Sequence, residues 1–324
     1  MLTRRAFTAS AIALSFVRPA RAAALQPLAD LGARHDQLHS LQVRRGDEVV
    51  FAQSYRGPGL DRLANIKSCS KSIVTLLLGL AMERGDVSGL EATLGDTAPD
   101  LIPQGADPRV RDITMGDLAS LRAGLERTSG PNYGAWVSAP NWVRDALSRP
   151  MVAQPGGRML YSTGSTHVLG AALTRATGDT LLAQARTGLG RPLGIDIPPW
   201  TRDPQGFYMG GNEMALTPRA MLRLATMMRD GGTYDGRQVI PRDWIDTATR
   251  PLTRSPYSGL AYGYGWFLSD TGWALARGYG GQIIAFHPDR DLAVAITSDP
   301  LRPARSQGYF GALMQVMNGT ILSL

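Results

Sequence analysis

The chain has 324 residues and almost no lysine: of its 34 basic residues, all but Lys67 and Lys71 are arginine. Arginine keeps its proton at any pH at which a protein is folded, whereas a buried lysine can lose its proton and act as a base. Both lysines lie within residues 66–72, and Ser68 precedes Lys71 by three positions. This spacing predicts a nucleophile and its base.

Cysteine and histidine are equally scarce. The single cysteine, Cys69, cannot form an internal disulfide. A thiol nucleophile is the alternative to Ser68, but neighbours on a helix point about 100° apart, so we expect Cys69 to be a small core residue. The four histidines lack the spacing of a metal site, and no phosphate loop or Gly-x-Ser-x-Gly motif occurs. The sequence therefore predicts neither a metal nor a cofactor; the histidines are His35, His39, His167 and His287.

Residues 1–22 contain four arginines and no acid, so their removal lowers the formal net charge from +7 to +3. Arg4 and Arg5, an apolar stretch at 9–17 and the small residues Ala20 and Ala22 predict a twin-arginine signal cleaved near Ala22. The alternative is a disordered basic terminus. Spanning a bilayer takes ~20 apolar residues, so we expect a periplasmic or secreted mature protein that has no membrane segment. The remaining charge forms no basic run, which argues against nucleic-acid binding.

The residues after Ser68 predict a buried helix, because residues 72–84 are apolar nearly all round and Gly85 follows them. Positions three apart lie on one face of a helix, which brings Lys71 beside Ser68. The unpaired amides of the first turn would stabilise an alkoxide on Ser68. Burial and the neighbouring Lys67 would lower the pKa of Lys71.

Two further stretches complete a pattern. Tyr161 lies in a Gly- and Pro-containing segment, residues 154–164, which precedes an apolar helical run at 167–176. A Gly-rich segment at 276–282 leads into a predicted antiparallel hairpin.

In this order and spacing, the three stretches resemble the serine β-lactamase and penicillin-binding-protein superfamily, above all its class C-like esterase and 6-aminohexanoate-dimer-hydrolase branch. The Ser-x-x-Lys motif matches Ser68 and Lys71. The Tyr-x-Asn motif matches Tyr161 but ends in Thr163, and the third motif, Lys-Thr-Gly or His-x-Gly, falls on residues 279–281. The resemblance covers nearly all of the chain after residue 22.

The resemblance implies an α+β fold, in which an antiparallel sheet is flanked by helices and a helical subdomain is inserted at about residues 86–203. The serine hydrolase domain would span residues 23–324. The sequence pattern agrees, because it predicts a hairpin at 41–45 and 48–55 and further strands at 264–268 and after residue 281.

The implied mechanism is acyl transfer. Ser68 would attack a carbonyl, Lys71 or the Tyr161–Lys71 pair would take its proton, and Tyr161 would protonate the leaving group. The backbone amides of Ser68 and Gln282 would form the oxyanion hole. Substrate-binding residues would be Tyr279, Gly280, Gly281 and Thr163.

The departures from the family motifs predict the substrate class. No lysine remains for a Lys-Thr-Gly motif, and Thr163 lacks the amide of asparagine, so we expect small uncharged esters or linear amides as substrates. A β-lactamase or D-alanyl peptidase is the alternative, and it would need an arginine such as Arg277 to hold a substrate carboxylate. A catalytically inert binding protein is the alternative of another class.

Overall fold

The computed structural model describes the backbone of residues 17–324 and the side chains of residues 23–324. The predicted signal segment, residues 1–22, therefore lies outside the residues whose side chains are described. No helix in the described part is both long and apolar enough to cross a membrane.

Eight strands form one antiparallel sheet in the order β2-β1-β12-β11-β10-β9-β8-β7, and two pairs of short strands lie apart from it. The first and last parts of the chain thus meet within the sheet, where β1, the second strand in this order, pairs with β12, the third. The strands are β1 (Leu38–Arg45), β2 (Glu48–Ser54), β3 (Ala64–Asn65), β4 (Ala215–Leu216), β5 (Thr233–Tyr234), β6 (Arg237–Gln238), β7 (Thr253–Arg254), β8 (Ala261–Tyr262), β9 (Phe267–Leu268), β10 (Ala274–Arg277), β11 (Ile283–His287) and β12 (Leu292–Ser298).

Helices cover both faces of the sheet. They are α1 (Val17–Ala29), α2 (Leu31–Arg34), α3 (Ser70–Glu83), α4 (Leu94–Thr97), α5 (Met115–Ala119), α6 (Tyr133–Val137), α7 (Trp142–Leu147), α8 (Thr163–Thr177), α9 (Leu181–Ala185), α10 (Arg191–Leu193), α11 (Pro218–Arg229), α12 (Arg242–Ala248) and α13 (Tyr309–Val316). In the described chain, the segment between α3 and β4 holds α4 to α10 and forms only isolated β-bridges. This segment includes residues 86–203, for which a helical subdomain is predicted.

Strand alternation divides the core between the two faces. In β11, Ile284 and Phe286 pack with α3 and α11, whereas Ile283 and Ala285 pack with the terminal helices α1 and α13. Burial of both faces explains why β11 and β12 are buried along their whole length. The α+β class predicted from the sequence is confirmed.

The central helix is buried as its composition predicts, but its start differs from a plain α-helix. A 3₁₀ turn, Lys67–Cys69, carries the nucleophile and runs into α3. The strand expected at 264–268 is shorter, because only Phe267–Leu268 pairs with its neighbours. The N-terminal helices end by Arg34, since Leu38 already joins β1.

Candidate active site

The turn that carries Ser68 is held by an ion pair. Lys67 has a left-handed backbone with φ of 48°, and its N–H donates to Asn65 Oδ1 at 2.8 Å. Lys67 Nζ lies 3.0 Å from Glu213 Oε1, and Asn65 Nδ2 donates to Glu213 Oε2 at 2.7 Å. Such a backbone costs about 1–3 kcal/mol and persists only where its surroundings impose it. Glu213 supplies that constraint from the loop before β4.

Lys71 lies one turn into the helix and is 2% exposed. Its Nζ is 2.7 Å from the carbonyl oxygen of Gly211, 3.2 Å from Thr163 Oγ1 and 3.2 Å from Ser68 Oγ. A neutral amine has two protons and one lone pair. The Gly211 carbonyl can only accept a proton, so a neutral Lys71 can donate to Gly211 and Thr163 and direct its lone pair at the Ser68 hydroxyl.

Burial lowers the pKa of Lys71 to about 7. Desolvation penalises the ammonium form, and no carboxylate lies close enough in the described chain to offset it. Near neutral pH a large share of the molecules therefore carry the free amine. Cys69, its helical neighbour, is fully buried and directs its thiol to the Gln282 carbonyl at 3.5 Å. Burial raises the pKa of that thiol.

Tyr161 lies just before α8, with its ring centroid 5.0 Å from Lys71 Nζ and its ring stacked on Phe267. Burial raises the pKa of the Tyr161 hydroxyl to about 12, while hydrogen bonding to the Ser68 side chain and the positive charge of Arg277 act to lower it. A pKa of 12 leaves about one molecule in 10⁵ as phenolate at pH 7. Tyr161 therefore holds its proton at rest.

Thr163 is the first residue of α8, and a neighbour that sequence analysis missed holds it in place. Ser129 Oγ accepts the Thr163 N–H at 2.9 Å and lies 3.0 Å from Thr163 Oγ1. This chain of hydroxyl groups ends at Lys71 Nζ. Ser129 is 34 positions from Thr163, and no motif marks it, so only the fold brings the two together.

A cavity of about 920 Å³ opens over these groups. It contains Ser68, Tyr161 and Thr163, and Tyr279 lies on its rim with 56% of its surface exposed. Tyr257 and Leu301 are further exposed apolar residues of the lining. The predicted residues Ser68, Lys71, Tyr161, Thr163 and Tyr279 thus come together around one cavity, with Lys71 beneath its floor.

Three predicted positions, Gly280, Gly281 and Gln282, are not among the residues that line the cavity. Gly280 and Gly281 are buried because the backbone packs tightly there: a Cβ on Gly280 would lie 2.1 Å from the Asp299 carbonyl oxygen, and one on Gly281 would lie 2.8 Å from the Tyr309 ring. Gln282 is fully buried, with its side chain bonded to the Ser298 carbonyl and the Gly280 N–H. The part of this segment that lines the cavity is Arg277, Gly278 and Tyr279.

The cavity is positively charged. Its lining carries four cationic side chains and, among the described residues, one acidic side chain, Glu213, which is paired with Lys67. The other three cations are Arg127, Arg277 and Arg305.

Arg277, at the end of β10, donates to the Ala304 carbonyl at 2.7 Å and to Ser306 Oγ at 3.1 Å, and its guanidinium stacks 3.6 Å from the Phe310 ring centroid. Burial lowers the pKa of Arg277 to about 10, so the group stays charged at neutral pH. Its position beside Tyr161 puts a permanent cation next to the reacting groups.

Among residues 23–324, no cluster of three or more His, Cys, Asp and Glu side chains is placed to hold a metal ion. The reactive groups that the structure brings together at the cavity are the Ser68 hydroxyl, the Lys71 amine and the Tyr161 phenol.

Comparison with known proteins identifies the family of the chain. The profile of the family described as Beta-lactamase matches residues 39–309. Two solved structures share the fold with TM-scores of 0.77 at 16% identity: a putative 6-aminohexanoate-dimer hydrolase from Bacillus anthracis (92% of this chain, 82% of that chain) and EstCE1, a hydrolase with promiscuous acyltransferase activity (95% and 100%). A penicillin-binding-protein homologue from Caulobacter crescentus follows at 0.69 and 19% identity (86% and 91%).

At these identities the solved structures show a common fold, whereas the family match spans most of the chain and includes Ser68, Lys71 and Tyr161. The chain belongs to the beta-lactamase family, within the superfamily of serine β-lactamases and penicillin-binding-protein-like proteins.

Proposed function

We propose that the protein is a serine hydrolase that cleaves small esters or linear amides through an acyl-enzyme on Ser68. The observation that carries this proposal is the environment of Lys71. Its buried amine can donate its two protons to the Gly211 carbonyl and Thr163, and its lone pair then faces the Ser68 hydroxyl. A protein that only bound its ligand would have no use for a desolvated lysine in this position, since burial of the amine costs stability.

Lys71 takes the proton of Ser68 as the hydroxyl attacks the substrate carbonyl. The amine is suited to this role because its pKa lies near 7, whereas Tyr161, with a pKa of about 12, is protonated and can donate to the leaving group. Water then attacks the acyl-enzyme and gives up a proton to the Lys71–Tyr161 pair. The pair returns a proton to Ser68 Oγ as the bond to the acyl group breaks. The two groups act as a pair, so a pH profile would report values that belong to both.

We assign the oxyanion hole to the backbone N–H groups of Ser68 and Tyr279, in place of the predicted Gln282. Ser68 lies at the start of a helix, where N–H groups have no intrahelical acceptor. Tyr279 lies on the cavity, and its N–H has no acceptor among the described residues. Both groups can therefore donate to a developing oxyanion.

The test is hydrolysis of p-nitrophenyl butyrate and nitrocefin by the purified protein, with Ser68→Ala as the blank. Ester turnover that disappears in Ser68→Ala, with nitrocefin near background, supports the proposal. Turnover of neither substrate, together with no covalent labelling of Ser68 by a fluorophosphonate, would instead indicate a binding protein.

Arg277 favours a second candidate function, a β-lactamase or D-alanyl peptidase. Such enzymes bind a substrate carboxylate, and Arg277 supplies a charged guanidinium at the cavity without a carboxylate partner in the described chain. The matched experiment compares neutral p-nitrophenyl butyrate with p-nitrophenyl hemiglutarate in the wild type and in Arg277→Met. A loss of at least tenfold in kcat/KM for the anionic ester alone supports carboxylate binding, and equal effects on both esters contradict it.

The basic N-terminus supports export through the twin-arginine pathway to the periplasm or beyond, with cleavage near Ala22. Expression of the full chain and of Arg4→Lys/Arg5→Lys, followed by cell fractionation, tests this. Export of the wild type with retention of the double variant supports the proposal, and equal distribution of the two overturns it.

A further inference from the structure

We infer that the buried pair His167 and Asp203 is a positioning device for Lys71, which acts through the backbone of Gly210 and Gly211. The inference rests on the proposed role of Lys71 as the base. Neither His167 nor Asp203 lines the cavity, and the sequence alone assigned no role to either residue.

The contacts of His167 define its tautomer. Its side chain and that of Asp203 are both fully buried, and Nε2 lies 3.0 Å from Asp203 Oδ2. The Gly210 N–H donates to His167 Nδ1, and the two nitrogen atoms are 3.4 Å apart. An N–H group can only donate, so Nδ1 must present its lone pair to Gly210 while Nε2 carries the proton and donates it to Asp203.

Asp203 in turn holds the loop that follows it, residues 204–207. Its Oδ1 accepts the N–H groups of Gln205 at 2.9 Å and Phe207 at 2.8 Å, and its own N–H donates to the Phe207 carbonyl. The carboxylate thus accepts three N–H groups. A carboxylate that is held by these three hydrogen bonds fixes the His167 ring, and the ring fixes Gly210.

Gly210 transmits this placement to the base. Its backbone lies so close to α8 that a Cβ would be 2.3 Å from the Thr166 carbonyl oxygen. The next residue, Gly211, provides the carbonyl that receives the shortest hydrogen bond of Lys71, at 2.7 Å. Thr163, one helical turn before His167, binds the same amine. Helix α8 therefore places one partner of Lys71 directly and the other through His167.

The ionisable groups that face Lys71 are Cys69 and Tyr161, with Arg277 beyond Tyr161. None of them contacts His167, whose ring packs instead against the edges of Trp136 and Trp142. A change at His167 or Asp203 can therefore reach Lys71 only through the backbone of the loop or through Thr163 and its helix.

The first test observes the tautomer in the wild-type protein, and a variant of His167 serves only to assign its signal. The chain has four histidines, so ¹⁵N-histidine NMR of the full-length protein resolves them, and His167→Gln assigns the signal by its loss. We expect His167 to show an unprotonated Nδ1 and a protonated Nε2. A proton on Nδ1 would remove the acceptor for Gly210 and overturn the inference. If His167→Gln does not fold, the two-bond ring correlations of the wild type identify the same tautomer.

The second test uses Asp203→Asn, which preserves size but offers an NH₂ group to the ring. An amide that donates to Nε2 would force the proton onto Nδ1, where it would face the Gly210 N–H. With only two lysines in the chain, ¹³Cε-lysine NMR follows the titration of Lys71 directly, and Lys67 serves as a second signal. We expect the pKa of Lys71 to fall by at least 0.3, because a displaced Gly211 carbonyl no longer stabilises the ammonium form.

Steady-state kinetics distinguish a loss of Lys71 positioning from a general loss of structure. In Asp203→Asn we expect kcat for the ester to fall at least tenfold while KM stays within twofold. The control Asp117→Asn alters another largely buried carboxylate, which caps α5, and should leave the Lys71 titration unchanged. An unchanged Lys71 titration in Asp203→Asn overturns the inference. If Lys71 shifts but the wild type hydrolyses nothing, the positioning role stands and the proposed function fails.

Discussion

Replacement of Lys71 by methionine should stabilise the protein near pH 7, and the change in stability should depend on pH. The amine has a pKa of about 7 in the folded state against 10.5 for the model value. Between these values the unfolded chain binds more protons than the folded protein, so lowering the pH favours unfolding of the wild type. The destabilisation begins as the pH falls through about 10.5 and levels off below about 7.

The two pKa values set the size of the effect. Linkage gives a cost of about 2 kcal/mol at pH 9 and about 4 kcal/mol at pH 7. Methionine removes this cost, but it leaves the Gly211 carbonyl without its hydrogen-bond donor. The unpaired carbonyl lowers the free energy of unfolding of the variant by about 1–3 kcal/mol at every pH. The loss at the Gly211 carbonyl is the same at both pH values, so it cancels when they are compared. The free energy of unfolding of Lys71→Met relative to wild type should therefore rise by about 2 kcal/mol from pH 9 to pH 7.

The assay is urea unfolding of wild type, Lys71→Met and Ser68→Ala at pH 7, 8 and 9, with the free energy of unfolding extrapolated to water. Ser68→Ala retains the buried amine, so its stability should follow the pH dependence of the wild type although it lacks the nucleophile. A gap between Lys71→Met and wild type that stays constant over this range would refute the reasoning, because it would mean that the amine is not desolvated.

Three further outcomes are expected. The kcat/KM for a neutral ester should fall about tenfold for each pH unit below 7, as Lys71 gains its proton, in initial-rate measurements from pH 5 to 8. Tyr161→Phe should lower kcat by about 10²–10⁴-fold with little change in KM, since only the proton donor is lost; equal steady-state constants would contradict that role. Gly281→Ala should cost at least about 1–3 kcal/mol in thermal unfolding, because its φ of 95° and the Tyr309 ring leave no room for a Cβ.

Local sequence patterns were enough to predict the central helix and the meeting of Ser68 with Lys71, whereas Tyr161, Thr163 and Tyr279 were assigned from the family resemblance. Ser68 and Lys71 meet because they are three apart at the start of a helix, and a nearly uniform apolar run makes that helix central. Such features depend on near neighbours along the chain, so they can be inferred before the fold is known. The hairpin of β1 and β2 was predictable for the same reason.

Contacts between distant segments were not predictable in this way. Glycines at 280 and 281 suggested an exposed backbone beside a substrate, but the residues that crowd them, Asp299 and Tyr309, come from the segment after β12. Gln282 is a polar residue next to a motif, yet its side chain is buried because Ser298 supplies an acceptor. The contribution of Glu213 to the Ser68 turn likewise needs two segments that only the fold brings together.

The fold also gives a physical reason for the choice of basic residue at positions 71 and 277. Lys71 is buried and Arg277 is partly buried at the same site, and burial lowers the pKa of each, to about 7 and about 10 respectively. At pH 7 this leaves about one Arg277 in 10³ neutral, against about half of the Lys71 amines. Under comparable burial a lysine at position 277, with its lower starting pKa, would be neutral more often than the arginine, and an arginine at position 71 would remain protonated and could not accept the proton of Ser68. The site therefore has arginine where a cation must persist and lysine where the proton must be lost.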